Sequence, residues 1–225
     1  MIKWTFLLTL ITSFGFCQEV KIDLSQKQLI TVSNEFNISV SQNNDQYLAS
    51  RWSKGKLYYA NGTSKQYDSL NFDRYSKTIE VVVNNKPLSI YPMGLAGALI
   101  YTGASSGYVL VKADIEGAQK LLEVCSSGKF ILVKGLEAAE VKEIATIKMD
   151  EVRFEPKPEA QLNVGENYFV WNGESWKSFK LNKSGIGNLF NLDKKTLQNY
   201  ISEQGISPTN KEQLILVFQH FNNEN

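Results

Sequence analysis

The sequence predicts a mainly β protein that ends in a small α-helical cap, and three observations support this fold class. Apolar and polar residues alternate with a period of two over residues 48–92, which is typical of short antiparallel strands with one buried face. Two Asn-Gly pairs, Asn61-Gly62 and Asn172-Gly173, separate strand-like segments and are strong hairpin signals. After residue 181 the apolar period becomes 3.6, which indicates two or three short helices.

The first seventeen residues have the pattern of a secretory signal peptide. A charged start precedes the apolar residues 4–11, and Gly15 and Cys17 place small side chains before a cut at Gln18. The apolar stretch is shorter than the roughly 20 residues that span a bilayer. A retained membrane anchor is less favoured because of this short length. Lipidation at Cys17 is less favoured because Phe16 stands where a lipobox has a small residue. We expect a periplasmic or secreted protein, cleaved between Cys17 and Gln18.

Composition limits the classes of partner. The 225 residues are 43% hydrophobic, which supports a real core. The 24 basic and 23 acidic residues form no block of like charge, which argues against a nucleic-acid surface. Cleavage would leave Cys125 as the only cysteine, so no internal disulfide is expected. Cys125 ends an apolar run and is interpreted as a small buried hydrophobe. No stable transmembrane segment is expected after cleavage.

The chain divides into four predicted parts. They are the signal peptide (1–17), a polar N-terminal segment (18–46), a β-rich domain (47–181) and a C-terminal helical cap (182–225). Within the polar segment, residues 20–24 and 36–40 alternate and are predicted as edge strands. The sequence leaves open whether the whole segment is ordered.

The β-rich domain is predicted as an antiparallel meander followed by hairpins. Residues 93–107 are rich in glycine and small side chains and are predicted as a loop. Residues 135–144 fit a helix or a strand, residues 150–154 alternate, and residues 156–159 form a proline-rich connector. The predicted strands are 56–59, 66–72, 78–83, 88–91, 108–111, 121–125, 130–133, 168–171 and 176–181.

The last forty residues contain helix-end signals. Asp193 is predicted as the N-cap of one helix, and Gly205 fits the position just after its C terminus. Residues 209–212 form a Thr-x-x-Glu capping box before a second helix, and a shorter turn is expected at 186–190. Each helix is too short to be stable alone in water, so the apolar stripes must pack on each other or on the sheet.

The sequence predicts no catalytic residue, no cofactor and no metal ligand. One histidine and one remaining cysteine cannot form a closed zinc site. Residues 93–107 match neither phosphate-binding glycine pattern. His220 falls off the apolar stripe of its predicted helix, so a solvated histidine is expected.

Paired carboxylates are the chemistry that is hardest to exclude, because a glycoside hydrolase needs only two acids at a suitable separation. Nothing in the pattern singles out one pair. A carboxylate-based hydrolase, or a binder, of envelope or dietary polysaccharide is therefore the alternative hypothesis. The candidate acids on or beside strands are Asp68, Asp73, Glu80, Asp150 and Glu151.

Aromatic residues are the best candidates for contact with a ligand or partner. We select Trp52, Tyr58, Tyr59 and Trp171, because aromatic rings exposed on a sheet can stack on sugars or contact proteins. Cross-strand pairs that only hold the sheet together are the favoured interpretation of most such rings. Tyr58 and Tyr59 are adjacent in a strand, so they should point to opposite faces.

Three stretches carry a family resemblance. Residues 17–19, residues 52–59 and the tail from Tyr168 to Phe221 resemble an uncharacterised family of exported flavobacterial-type proteins. The resemblance implies a signal peptide, a β-rich body and a C-terminal helical segment, and it implies no activity. We therefore expect an exported, non-catalytic interaction or binding module of the periplasm or cell envelope, which contacts an envelope protein or a glycan.

Overall fold

The computed structural model describes residues 20–22, 30–33, 35–41, 46–136, 138–139, 163–164 and 167–224. The predicted signal peptide and the segments predicted at 150–154 and 156–159 lie outside these residues. Within them the protein is mainly antiparallel β-sheet with three short C-terminal helices, which confirms the predicted fold class.

The described residues form fifteen strands and three helices. The strands are β1 Val20–Ile22, β2 Ile30–Val32, β3 Asn37–Ile38, β4 Ser53–Tyr59, β5 Ser64–Asp73, β6 Thr78–Val83, β7 Lys86–Ile90, β8 Leu95–Gly103, β9 Ser106–Ile115, β10 Ala118–Ser126, β11 Ile131–Gly135, β12 Ala138–Ala139, β13 Asn163–Val164, β14 Tyr168–Trp171 and β15 Trp176–Phe179. The helices are α1 Lys183–Phe190, α2 Lys194–Glu203 and α3 Lys211–Glu224.

Eleven of these strands form one sheet in the order β15-β14-β11-β10-β9-β8-β4-β5-β6-β7. The eleventh strand, β3, pairs in parallel with the start of β9, whereas the other neighbours in this sheet are antiparallel. The predicted edge strand near residue 20 is observed as β1, which pairs with β2 in a separate two-stranded sheet. A second small pair joins β12 to β13.

Both Asn-Gly hairpins are confirmed. Gly62 lies between β4 and β5 with a φ of 81°, and Gly173 lies between β14 and β15 with a φ of 94°. Such positive angles are left-handed backbone, which glycine adopts without a steric penalty. Asn84 and Asn85 make the turn from β6 to β7, with φ angles of 51° and 59°.

The prediction of a loop at residues 93–107 is wrong. Most of this segment forms β8 and the beginning of β9, two central strands of the sheet. Its small residues are there because the backbones approach closely. A Cβ on Gly97 would lie 2.2 Å from the carbonyl oxygen of Leu110, and one on Gly107 would lie 2.5 Å from that of Ile100. Glycine inside a strand here marks close packing instead of a chain break.

Side chains from the two faces of the sheet form separate apolar clusters. On β9, Val109 and Val111 point to one face and Leu110 points to the other. We call the cluster on the face that bears Val109 and Val111 the opposite-face cluster, because it lies on the face opposite the helices. Its members include Val20, Phe36, Val109, Val111, Leu122 and Val124.

The second face carries two further clusters. The meander cluster includes Leu57, Leu70, Ile79, Ile100, Leu110 and Leu121. The cap cluster lies beneath the helices and includes Cys125, Leu132, Val170, Phe190, Leu214 and Phe218. The helices therefore cover β10, β11 and β14, while the meander cluster lies on β4–β6 and on β8, β9 and the start of β10.

The observed helix ends confirm most of the predicted signals. The Asp193 side chain caps α2 by accepting from the backbone amides of Lys195 and Thr196, and Gly205 follows this helix with a φ of 63°. The prediction that Thr209 caps the last helix is wrong by one residue. Asn210 caps α3, because its Oδ1 accepts from the amide of Gln213 at 2.9 Å. Asparagine competes well with threonine for this position.

Candidate functional site

The hairpin β14–β15 carries Trp171, one of the predicted contact aromatics, beside Trp176, which the sequence analysis did not select. Trp171 and Trp176 are direct cross-strand partners, with ring centroids 5.5 Å apart and planes inclined by 51°. Both rings are half-buried, and each packs one side against the opposite-face cluster. The Nε1 atom of Trp171 is buried and makes no hydrogen bond with any described residue.

A groove of about 420 Å³ opens beside these rings. We call it the indole groove. Its walls come from two parts of the fold, the hairpin β14–β15 and the end of the hairpin β9–β10. It is lined by Trp171, Trp176, Lys112, Asp114, Gln119 and Ser175.

The remaining predicted contact aromatics lie elsewhere. Tyr58 is 6% exposed and its hydroxyl donates to the carbonyl of Val20 at 2.9 Å, so this ring belongs to the core. Tyr59 packs against the meander cluster on the other face, which confirms that the two tyrosines point to opposite faces. Trp52 is 37% exposed and lies 5.6 Å from Tyr47 between ring centroids. Cys17 and Gln18, the predicted cleavage residues, lie outside the described residues.

Two of the described candidate acids, Asp73 and Glu80, have structural contacts. Asp73 is buried, and its Oδ1 accepts from the amide of Tyr75 at 2.8 Å in the turn after β5. The Glu80 carboxylate accepts from the hydroxyl of Tyr47 at 3.0 Å. Asp68 is exposed on β5. Asp150 and Glu151 lie outside the described residues.

A buried charged group lies at the centre of the sheet, and the sequence analysis missed it. Glu123 on β10 is fully buried and pairs across the ladder with Lys134 on β11, which is 6% exposed. The carboxylate accepts hydrogen bonds from the amide of Ser41 and, at 2.5 Å, from its hydroxyl. Lys134 Nζ donates to the Ser41 carbonyl at 3.3 Å. We call Glu123, Lys134 and Ser41 the buried polar triad.

Burial raises the pKa of Glu123 above its ordinary value. The hydrogen bonds from Ser41 act in the opposite direction, as do the positive charges of Lys134 and Arg74. The signal for this feature is present in the sequence, since Glu123 is the only charge in the apolar run 121–125 and Lys134 is the only charge in β11. Without the sheet register, nothing in the sequence pairs one with the other.

Cys125 is enclosed in the core, whereas His220 is partly exposed against an aromatic ring. Cys125 is buried as predicted, and burial raises the pKa of its thiol well above the ordinary value. His220 is one-third exposed and stacks on Tyr200, with centroids 4.1 Å apart and planes inclined by 7°. Its Nε2 lies 3.3 Å from a carboxylate oxygen of Glu224.

The parts of the chain that the structure describes contain no group of three or more His, Cys, Asp or Glu residues placed to hold a metal ion. Among the same residues, no helix has the length and apolarity needed to cross a membrane.

Comparison with known proteins finds no counterpart: no family model matches the chain, and no curated protein or solved structure matches it significantly. The function therefore has to be argued from the sites themselves.

Proposed function

We propose that this protein is an exported, non-catalytic binding module of the periplasm or cell envelope, and that the indole groove is its contact surface. The groove is the observation that carries the proposal. It places two indole rings beside a cation, a carboxylate, an amide and a hydroxyl. Aromatic rings supply apolar contact area, and a few polar groups around them supply specificity.

The export part of the proposal rests on the N-terminal residues. A charged start, a short apolar stretch and small residues before Gln18 are typical of a secretory signal peptide. The resemblance to exported flavobacterial-type proteins points to the same compartment. The partner would then be an envelope protein or a glycan.

Binding of a polysaccharide without cleavage is the second candidate function, and the same groove favours it. A sugar ring offers a C–H face that packs on an indole and hydroxyl groups that bind amide, carboxylate and ammonium groups. Trp171 and Trp176 supply the indoles, and Asp114, Gln119 and Lys112 supply the polar groups.

Substitution of Gln119 by arginine tests the groove without removing a core side chain. Gln119 is exposed on β10 and lines the groove, so Gln119→Arg fills the groove with a long side chain. Gln66→Arg is the matched control, because Gln66 is exposed on β5 and does not line the groove. Tagged chains purified after export would be incubated with solubilised native envelope and with a panel of glycans, and bound material would be identified by mass spectrometry.

We expect the wild type and Gln66→Arg to retain the same protein or glycan, and Gln119→Arg to lose at least tenfold in affinity. Equal retention by Gln119→Arg would show that the groove is not the contact surface. Failure of the folded wild type to retain any component would contradict the binding function. Release of sugar fragments from a glycan would support the hydrolase alternative instead. Circular dichroism of each variant checks that it is folded.

A further inference from the structure

The connection from β7 to β8 carries the two most exposed large apolar side chains among the described residues. Tyr91 is 71% exposed and Met93 is 85% exposed. They flank Pro92: Tyr91 directly precedes the single-turn 3-10 helix Pro92–Gly94, and Met93 is its second residue. We call these two side chains the apolar tip.

The apolar tip rests on a fixed support. Pro92 restricts the backbone at the first position of the turn, and the amide of Leu95 donates back to the Pro92 carbonyl. Leu95 itself is fully buried in the meander cluster. The amide of Ala60 donates to the carbonyl of Gly94 at 3.1 Å, which ties the turn to the end of β4. The fold therefore presents Tyr91 and Met93 outward from an anchored turn.

Three lysines lie around the apolar tip. Lys112 Nζ donates to the carbonyl of Met93 at 3.2 Å. Lys77 and Lys120 line, together with Pro92, a cavity of about 90 Å³. Apolar side chains surrounded by ammonium groups match the two layers of an anionic membrane surface, an apolar interior beneath negative headgroups.

We propose that the apolar tip and its three lysines dock this protein on the surface of an anionic phospholipid membrane. Tyr91 and Met93 enter the interfacial layer, and Lys77, Lys112 and Lys120 face the phosphate groups. The two side chains expose roughly 300 Å², well below the approximately 800 Å² that each partner buries in a stable protein complex. A lipid surface needs no such complementary area. Lys112 belongs both to this surface and to the indole groove, whereas Tyr91 and Met93 do not line the groove.

Co-flotation with vesicles tests the proposal. The full chain would be expressed in a bacterium that exports it, and the N terminus of each purified product would be determined by mass spectrometry so that all variants are compared with the same terminus. Vesicles of phosphatidylcholine, with and without phosphatidylglycerol, would be floated with wild type, Tyr91→Ser/Met93→Ser and Lys112→Gln. Leu216→Ser is the matched control, because Leu216 is 57% exposed on α3, away from the tip.

We expect the wild type and Leu216→Ser to float with the anionic vesicles, and added salt to weaken this binding. The double serine variant should partition at least tenfold more weakly, and Lys112→Gln should partition about fivefold more weakly, since each basic residue near an anionic surface contributes about that factor.

Three results would overturn the proposal. The folded wild type fails to float with anionic vesicles, it floats equally well with vesicles of phosphatidylcholine alone, or the double serine variant floats as well as the wild type. Sedimentation velocity could give a fourth result that would overturn the proposal. If the wild type is a dimer and the double variant a monomer, the tip is a surface for a second copy of this chain.

Discussion

At the scale of single residues, the buried polar triad is the feature that most distinguishes this sheet. Glu123 lies on β10 between Leu121 of the meander cluster and Cys125 of the cap cluster. Lys134 lies on β11 between residues of the same two clusters. A buried charge is costly unless it is paired and hydrogen-bonded. Glu123 and Lys134 are opposite each other in the register of β10 and β11, and both are hydrogen-bonded to Ser41 of the N-terminal segment.

Substitution of Glu123 by glutamine should change how stability depends on pH. Because burial raises the native pKa of Glu123, the folded state holds its proton more tightly than the unfolded state does. The contribution of Glu123 to the free energy of unfolding is greatest below its ordinary pKa of 4.5, and it falls as the pH rises through the raised native pKa. We expect the free energy of unfolding of Glu123→Gln, measured by urea denaturation between about pH 4 and pH 8, not to show this decline.

The charged or titratable groups that affect this titration are Lys134 on β11 and Arg74 after β5, together with Tyr108 on β9 and Cys125 on β10. The wild type serves as the reference, since glutamine keeps the size of the side chain and one acceptor for Ser41. Parallel stability curves for the two proteins over this pH range would contradict the prediction.

At the scale of elements, local signals in the chain fixed most turns and caps, and close packing decided the exceptions. Gly62 and Gly173 mark tight turns because their left-handed backbone needs no Cβ. Gly97 and Gly107 lie inside strands because a neighbouring carbonyl occupies the space that a Cβ would need. Glycine therefore marks the end of a strand at the first two positions and lies within a continuing strand at the other two. Only the positions of the neighbouring strands distinguish a glycine that ends a strand from one that continues it.

The two candidate caps of α3 provide a test at this scale. Asn210→Ala removes the acceptor for the Gln213 amide and should lower the free energy of unfolding by about 1 kcal/mol. Thr209→Ala should change it by less than about 0.5 kcal/mol, since the Thr209 hydroxyl contacts only the exposed Ser207 hydroxyl. Chemical denaturation of both variants measures the difference. If Thr209→Ala lowered the free energy of unfolding more than Asn210→Ala does, the result would support the capping box that the sequence predicts.

At the scale of the whole molecule, α3 joins the helical cap to the sheet. Phe218 is fully buried, with ring centroids 5.8 Å from Phe179 on β15 and 5.1 Å from Phe190 on α1. Asn222 on the same helix binds the turn between β10 and β11, where its Oδ1 accepts from the amide of Phe130 at 2.9 Å. Short helices of this kind depend on tertiary packing for their stability. The cap and the strands beneath it should therefore lose structure together.

Truncation of Phe218 tests this coupling. Phe218→Ala leaves a cavity between α1, α3 and β15 and should lower the free energy of unfolding by about 3–5 kcal/mol. Amide hydrogen exchange should become faster throughout α1–α3 and also in β14 and β15. Leu216→Ala, at an exposed position two residues earlier, should have little effect on either measurement. Faster exchange confined to the helices would show that the cap opens independently of the sheet.

The sequence by itself determined the fold class, the hairpin turns and the start of α2. These features follow from short-range rules, because side-chain periodicity, left-handed turn residues and helix caps act over a few neighbouring positions. Only the tertiary structure decided the strand order, the strands at residues 95–115 and the pairing of Glu123 with Lys134. It also brought Lys112, Asp114 and Gln119 to Trp171 and set lysines around the apolar tip. These contacts join residues far apart in the chain, and their geometry is set by sheet register and packing, which no local pattern encodes.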